Sequence, residues 1–259
     1  SPDGSDLPIW KAGAHLDIVV APEFLRQYSM CGDPADRSYY KIAVLVEPEG
    51  RGGSKLMNRI FEQGRKIFIS KPINHFGLVE SNGPTLLFGG GIGVTPMVAF
   101  AHELHKGGRD FSLNYSAKSK STAAFDTDWA YFDWRDNVSC HYSKQGKRMS
   151  IAEEIPAYTS GTHIYVCGPD DYMSAILNQA RTVGYPEDAL HAEFFVVPDA
   201  PDRVNYAFEI EISDGSRIFV SEDQSASDAL ITAGISVDVK CSDGLCGVCK
   251  CVVLEGKVD

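Results

Sequence analysis

The chain has 259 residues, of which 44% are hydrophobic, enough to fill more than one core. Its net charge of -11 argues against nucleic acid as a ligand, because the phosphates would be repelled. No apolar run reaches the roughly 18 residues of a membrane span, and seven cysteines, three of them in one loop, suit reduced thiols and metal ligands. We therefore expect a cytoplasmic, multi-domain protein outside the membrane.

The first predicted elements are two strands and a helix. Residues 14–20 alternate weakly between apolar and polar side chains, as in a strand. Residues 39–47 form a stronger strand pattern, rich in β-branched side chains. An amphipathic helix is predicted over about residues 55–61. The chain thus begins with β structure and turns to helix after a run of glycines.

The glycine-rich turn before this helix suits an anion. Gly52 and Gly53 leave two backbone N–H groups at the helix start, and Ser54 adds a hydroxyl, a typical setting for phosphate. A plain turn into a helix would use the same glycines. Upstream, Arg26 and Tyr28 lie two apart on a strand and hence on one face. There they offer a guanidinium for phosphate and a ring for stacking.

The run Arg26-Gln-Tyr28-Ser29 followed by a glycine-rich turn resembles the flavin-binding barrel of the ferredoxin reductase superfamily. The resemblance implies that Arg26 contacts the flavin phosphate and that Tyr28 packs on the isoalloxazine. It also implies that Ser29 bonds the ring near N5, and that the phosphate lies at Gly52, Gly53 and Ser54.

A second glycine turn follows a buried strand that begins at Thr85 and opens a helix through about His105. Strand, glycine turn and helix N-terminus together cradle a pyrophosphate; a turn without a ligand is the alternative. Gly-Gly-Ile-Gly-x-Thr-Pro resembles the nicotinamide-nucleotide turn of the same superfamily. Thr95 is available to bond the nucleotide, and Pro96 costs little at an early helical position. The resemblance assigns five residues to the coenzyme: Gly90, Gly91, Gly93, Thr95 and Pro96.

A further strand pattern at residues 163–166 runs into Cys167-Gly168-Pro169, within a predicted parallel α/β domain. Cys-Gly-Pro also resembles the superfamily, which implies that Cys167 lies beside the nicotinamide and that Gly168 and Pro169 border the coenzyme. Cys167 could equally be a buried thiol that fills space. Catalytic roles fall on Ser29, Thr95 and Cys167 as aligning groups, because hydride transfer itself requires no acid or base.

Several other residues are candidates for a function. The segment 116–120 offers hydroxyls and cations where an NADP 2'-phosphate could bind, although an exposed basic loop is an equal interpretation, and members that resemble this chain mostly use NADH. His102 and His105 share a helix and are expected at the surface rather than at a metal. Phe194 and Phe195 match a family segment that abuts the flavin, with core packing as the alternative.

The last third predicts a ferredoxin-like domain. After a linker at residues 197–204, strands over 206–212 and 216–220 and a helix over 227–233 resemble the opening of a β-grasp fold. Cys241, Cys246 and Cys249 form a Cys-x4-Cys-x2-Cys run that matches the first three ligands of a plant-type [2Fe-2S] loop. Zinc is the alternative, but no second Cys or His couple is near. The fourth ligand is expected about thirty residues later, past Asp259, and the start at Ser1 shows neither an initiator Met nor a strand pattern. Both ends of the chain are therefore expected to be trimmed.

The order of these parts resembles that of the phthalate dioxygenase reductase family over essentially the whole chain. The predicted fold class is an antiparallel β-barrel, an α/β parallel-sheet domain and an α+β β-grasp domain. The predicted domains are an FMN-binding barrel at 1–82 whose first strand is missing, an NAD-binding domain at 83–196, a linker at 197–204 and an incomplete [2Fe-2S] domain at 205–259.

This resemblance implies an enzyme that takes electrons from NADH through FMN to the cluster and on to a Rieske-type oxygenase. A hydride carries two electrons and the cluster accepts one, so the flavin converts between them. A monomer is expected, with no nucleic acid and no membrane as partners. Three alternatives stay open: a reductase for a diiron or haem monooxygenase, a non-enzymatic iron-sulfur electron carrier, and a degenerate binding protein that has lost its cluster. The substrate of the partner oxygenase cannot be read from this chain.

Overall fold

The computed structural model describes residues 4–22, 24–48, 50, 52–195, 205–239, 249 and 251–256. Two compact units divide the chain, Ser1–Phe195 and Val196–Asp259. Within the described residues, no helix combines the length and apolar character needed to span a bilayer.

The first unit opens with a small antiparallel sheet. Its central strand β1 (Ala14–Ala21) pairs with β2 (Phe24–Ser29) on one edge and with the short strands β3 (Phe68–Ile69) and β4 (Ile73–Asn74) on the other. A helix, α1 (Gly53–Ile60), stands between β2 and β3. The apolar side chains at alternate positions of β1 enter the core, and on the opposite face His15 and Asp17 are also buried. The core residues are Ala14, Leu16, Ile18 and Val20.

The strand predicted at residues 39–47 is not formed. Among the described residues, its β pairing is limited to one bridge between Met30 and Ile42, and Leu45 and Val46 are exposed. Strand propensity indicates how well side chains fit a pleated, half-buried surface, but it does not indicate whether a partner strand is available. The prediction was wrong for this reason, and the closed barrel stays a prediction.

The second sheet is fully parallel, with the order β7-β6-β5-β8-β9. Its strands are β5 (Thr85–Gly90), β6 (Phe111–Ala117), β7 (Val138–Tyr142), β8 (His163–Cys167) and β9 (Leu190–Glu193). The chain builds outward from β5 on one side and then returns to build on the other. The carboxyl ends of β5 and β8 therefore flank the switch point where nucleotides bind in such sheets.

Helices cover both faces of this sheet. A 3-10 turn at Gly91–Gly93 leads from β5 into α2 (Val94–Lys106), whereas α3 (Ile151–Glu154) precedes β8 and α4 (Asp170–Thr182) follows it. Leu87 belongs to a core shared with side chains of α2 and β1, and Phe88 belongs to one shared with α4. Short 3-10 helices occupy the connections: Lys120–Thr122, Trp129–Tyr131, Arg135–Asn137, Ser143–Gln145 and Glu187–Ala189.

The second unit contains a hairpin and a helix. Strands β10 (Phe208–Glu211) and β11 (Arg217–Val220) pair antiparallel, and α5 (Ala226–Thr232) follows. Ser225 caps α5, since its hydroxyl accepts a hydrogen bond from the Asp228 amide at 3.2 Å. These elements lie within about two residues of their predicted places.

Candidate functional site

The start of α1 forms an anion cradle with β2. Gly52 precedes the helix in the left-handed region (φ 88°), and no side chain of the described residues caps it. Arg26 lies against Gly53 so closely that a Cβ there would come within 2.6 Å of the Arg26 Nε. Ser54 Oγ accepts a hydrogen bond from the Glu47 amide at 3.1 Å. A guanidinium beside uncapped helix N–H groups fits the phosphate of FMN.

Tyr28 and Ser29 project to opposite faces of β2. Tyr28 pairs with Leu16 and is half-buried, and burial raises the pKa of its phenol despite the nearby Arg26. Ser29 pairs with His15 and is buried. Its hydroxyl donates a hydrogen bond to the Glu193 carboxylate at 3.2 Å. The end of β2 therefore presents the Tyr28 ring on one face. On the other face it presents the Ser29 hydroxyl, which is hydrogen-bonded to Glu193 of the parallel sheet.

The second glycine turn lies against the end of β8. A Cβ on Gly90 would approach Tyr172 at 2.8 Å and Pro169 at 2.9 Å. A Cβ on Gly93 would overlap the Cys167 carbonyl. Gly91 has a φ of 55°, which favours glycine. Backbone therefore packs on backbone at the switch point, and the turn that the sequence predicts is required for this close approach.

Thr95 and Pro96 are buried in the first turn of α2. The Thr95 hydroxyl donates a hydrogen bond to the Ile92 carbonyl at 3.0 Å. It thus holds the glycine turn, whereas the sequence motif predicts this hydroxyl at the nucleotide.

Glu193 is a site residue that the sequence analysis missed. The β8–β9 register places it opposite Cys167, and it accepts the hydrogen bond from Ser29. Burial raises the pKa of the Glu193 carboxyl to about 7, although the Ser29 bond opposes this. Burial, and then the Glu193 carboxyl, raise the pKa of the Cys167 thiol well above its usual value. Cys167 is therefore a neutral thiol, which agrees with a positioning role and not with a nucleophile.

A cavity of about 380 Å³ adjoins the glycine turn. Its walls are residues 43–45, the pair Gly91 and Ile92, residues 121–125, and Asp128. Of the predicted adenosine segment, Lys120 has its ammonium 3.9 Å from the Asp126 carboxylate.

The two histidines and two phenylalanines considered in the sequence differ in their exposure. His102 is half-buried and accepts a hydrogen bond from Trp134 Nε1 at 3.1 Å, so its expected surface position was wrong, whereas His105 is exposed. Phe194 and Phe195 are 36% and 40% exposed, which does not support core packing.

The cluster cysteines are only partly described. Cys249 is exposed, whereas Cys241 and Cys246 lie outside the described residues. Among the residues that the structure describes, no group of three or more His, Cys, Asp or Glu side chains could hold a metal ion.

Comparison with known proteins decides the family. Residues 210–259 match the 2Fe-2S iron-sulfur cluster binding domain. The vanillate O-demethylase oxidoreductase of Pseudomonas sp. (strain HR199 / DSM 7063) is 38% identical over 260 residues, covering 99% of this chain and 82% of that protein. The solved structure of phthalate dioxygenase reductase, described as modular for electron transfer from pyridine nucleotides to [2Fe-2S], is 30% identical with a TM-score of 0.76, covering 96% of this chain and 78% of that one. The chain belongs to the phthalate dioxygenase reductase family.

An intact type IV self-sufficient cytochrome P450 monooxygenase contains a region similar to this reductase. The two are 33% identical with a TM-score of 0.86, over 98% of the reductase chain and 33% of the other. This reductase therefore also resembles part of a longer haem protein.

Membership of the phthalate dioxygenase reductase family confirms several predictions. The reductase is an NADH-dependent oxidoreductase of oxygenase systems that works through FMN and a [2Fe-2S] cluster. The multi-domain architecture with a parallel sheet is confirmed as well. The domain boundaries and the individual site residues stay predictions.

Proposed function

We propose that this reductase delivers its electrons to a Rieske-type oxygenase, with hydride transfer at the junction of Ser29, Glu193 and Cys167. The observation that carries the proposal is this junction. The Glu193 carboxyl group accepts a hydrogen bond from Ser29 of the antiparallel sheet, and Glu193 lies opposite Cys167 in the parallel sheet. We propose the following parts: FMN-binding residues 1–82, NAD-binding residues 83–196, a linker at 197–204 and a ferredoxin-like region at 205–259.

Arg26 and the start of α1 hold the FMN phosphate in this proposal. The guanidinium supplies charge, and the N–H groups that follow Gly52, together with the Ser54 hydroxyl, supply donors. Tyr28 would pack on the isoalloxazine and Ser29 would lie beside it when FMN is bound. The half-buried ring of Tyr28 and the buried hydroxyl of Ser29 support these roles.

The coenzyme lies across the switch point in this proposal. The turn that the Thr95 hydroxyl stabilises would hold the pyrophosphate, and Cys167 would border the nicotinamide. The proposed contacts are the residues of the two loops: Gly90, Gly91, Gly93, Thr95, Pro96, Gly168 and Pro169.

The chain contributes alignment and a proton site. FMN, when bound, supplies the conversion of a hydride into single electrons. Cys167 stays a neutral thiol and fixes the spacing at the end of β8. Glu193, with its pKa raised to about 7, can hold or release a proton near neutral pH, next to the Ser29 hydroxyl. Correct placement of donor and acceptor is the main catalytic contribution of these residues.

A haem monooxygenase is the second candidate acceptor. The observation in its favour is the similarity to part of the self-sufficient cytochrome P450, whose TM-score exceeds that of phthalate dioxygenase reductase.

The deciding experiment supplies the FMN- and cluster-loaded reductase with NADH under anaerobic conditions. A purified Rieske-type oxygenase and a purified cytochrome P450 haem domain serve as alternative acceptors. Faster reduction of the Rieske centre supports the proposal, and faster reduction of the haem supports the second candidate. Flavin absorbance that does not bleach with NADH would overturn both.

A further inference from the structure

Two histidines contact each other on one face of the last two strands of the parallel sheet. His163 Nδ1 lies 3.0 Å from His191 Nε2, within hydrogen-bonding distance. His163 begins β8, and His191 is the second residue of β9, directly opposite Tyr165. The His191 ring also stacks on the Tyr165 ring, with ring centres 4.3 Å apart and planes 18° apart. One side chain of β8 therefore holds the His191 ring at its edge, and another holds it at its face.

Strand β9 depends on β8 for its pairing. It has four residues and, in the part of the chain that the structure describes, it lies at the edge of the sheet and pairs with β8. Side chains two residues apart on a strand share a face, so Glu193 lies on the same face as His191. The position of β9 that the two histidines stabilise is therefore the one that brings Glu193 to the Ser29 hydroxyl, at 3.2 Å.

The contact between the two rings depends on their protons. A neutral pair can place an N–H group of one ring against the free nitrogen of the other, and a pair with one positive charge keeps this hydrogen bond. When both rings are charged, both facing nitrogens carry a proton, so the bond is lost and the like charges repel. The second proton is therefore the one that breaks the contact.

The surroundings of the two rings favour their neutral forms. Burial is the largest cause that lowers the pKa of each histidine below its usual value. Asp188, in the turn before β9, opposes this shift for both rings, whereas Arg109, before β6, adds to it for His163. Because the pKa of both rings is lower in the closed strand pair than in an opened one, opening takes up protons and is favoured as the pH falls.

The other ionisable groups on this face do not offset a second positive charge. Tyr165 and Cys167 keep their protons, because burial raises the pKa of both groups. The Glu193 carboxyl is itself protonated below its pKa of about 7. Among the described residues, Asp188 is the acid that acts on both rings, and one carboxylate balances one charge of a doubly protonated pair.

We propose that His163 and His191 form an acid-sensitive latch that holds β9, and with it Glu193, in place at the hydride-transfer junction. The latch is closed while at least one ring is neutral, and it opens when both rings are protonated. The two histidines are positioning residues, since they act through Glu193 and the strand that carries it. The functional part of this inference rests on the proposed junction of Ser29, Glu193 and Cys167.

The test removes the titration and keeps the hydrogen bond. In His163→Asn the amide takes the place of the Nδ1 side of the ring, so it can bond His191 but does not take up a proton. His141→Gln is the matched control, because His141 is a half-buried histidine of the opposite edge strand β7, with its Nε2 3.0 Å from the Asn114 side-chain oxygen. All variants are compared as the full, FMN-loaded chain.

Amide hydrogen exchange, followed by mass spectrometry, measures the latch without turnover. After correction for the intrinsic effect of pH, we expect the protection of residues 190–193 relative to β5 to fall at least about tenfold from pH 7.5 to pH 5 in the wild type. The same fall is expected in His141→Gln and no comparable fall in His163→Asn. His191→Gln, which replaces the Nε2 side of the other ring by an amide, serves in the same way if His163→Asn does not fold. An equal fall in all proteins, or no fall in the wild type, would overturn the latch.

Stopped-flow reduction of the flavin by NADH tests the link between the latch and the junction. Glu193 titrates in every variant, so the rates are compared between proteins at one pH. At pH 5 we expect His163→Asn to be reduced at least about threefold faster than wild type and His141→Gln, with similar rates at pH 7.5, because misplaced groups slow the transfer. Equal rates at pH 5, in a wild type that has lost the protection of β9, would overturn the inference. Flavin that NADH reduces at neither pH would instead overturn the proposed function, while hydrogen exchange would still decide whether the latch exists.

Discussion

Glu193 shows how a single residue escapes sequence analysis. In the sequence it is one acid before two phenylalanines, and nothing near it predicts a partner. Its neighbours come from the register opposite Cys167 and from Ser29, which is 164 positions away in the chain. Arg26, Tyr28 and the glycines are site candidates in the sequence because each belongs to a local motif, whereas a contact between distant strands carries no local signature.

The raised pKa of Glu193 predicts a pH-dependent stability. The folded carboxyl keeps its proton up to about pH 7, whereas its ordinary pKa is 4.5. The stabilisation is therefore complete below pH 4.5 and is lost as the pH rises through 7. We expect Glu193→Gln to gain up to about 3 kcal/mol relative to wild type between pH 5 and pH 8.

Tryptophan fluorescence during urea unfolding of the flavin-free protein measures this change. All three tryptophans, Trp10, Trp129 and Trp134, belong to the first unit, so the signal reports that unit. Gln in place of the exposed Glu62 controls for the loss of one acidic residue. A difference between Glu193→Gln and wild type that does not vary with pH would contradict the assignment.

Thr95 gives a second prediction for a single residue. Its hydroxyl holds the Ile92 carbonyl, so Thr95→Ala should loosen the coenzyme turn and leave the FMN cradle intact. Small displacements of reacting groups cost up to about 100-fold in rate, and we expect flavin reduction by NADH to slow by about tenfold with bound FMN retained. Thr95→Ser should restore the rate. Loss of FMN with normal hydride transfer in the remainder would contradict this role.

At the scale of helices and strands, hydrophobic patterns in the sequence predict some strands correctly and others wrongly. Strands β5 and β8 could be predicted because each is an apolar run that leads into glycine, and nearly all of their residues are buried. The segment 39–47 has the same strand character, but in the part of the chain that the structure describes its β pairing is limited to the Met30–Ile42 bridge. Pairing depends on partner strands elsewhere in the chain, and periodicity cannot report them.

The start of α1 gives a prediction for an element. Gly53→Ala improves helix propensity, yet its Cβ would displace the Arg26 guanidinium, which lies 2.6 Å from that position. We expect FMN affinity to fall by about tenfold, as for a weakened charge-assisted hydrogen bond, without loss of stability. Asn58→Ala, on the exposed side of the same helix, is the control. Equal FMN affinity in both variants, measured by fluorescence quenching, would contradict the cradle.

At the scale of the whole molecule, charge is unevenly distributed between the two units. From residue 205 to residue 259, ten acidic residues accompany four basic ones, about half of the total net charge of -11 in about a fifth of the chain. Solvation of the surface would explain an excess of acidic residues over the whole chain. Electrostatic steering toward a basic partner would explain why the acidic residues are concentrated at residues 205–259.

The two explanations differ in their dependence on salt. If the second unit steers electron transfer, the reduction of cytochrome c, a basic one-electron acceptor, should slow as ionic strength rises from about 0.01 to 0.15 M, because the Debye length shrinks from about 30 to 8 Å. Reduction of ferricyanide, an anion, should change in the opposite direction or not at all. Neutralising Glu209 and Glu211 on β10, both exposed, should reduce the salt dependence for cytochrome c more than neutralising Glu62 and Glu153 of the first unit. Equal effects of the two pairs would show that the concentrated acid of the second unit only solvates its surface.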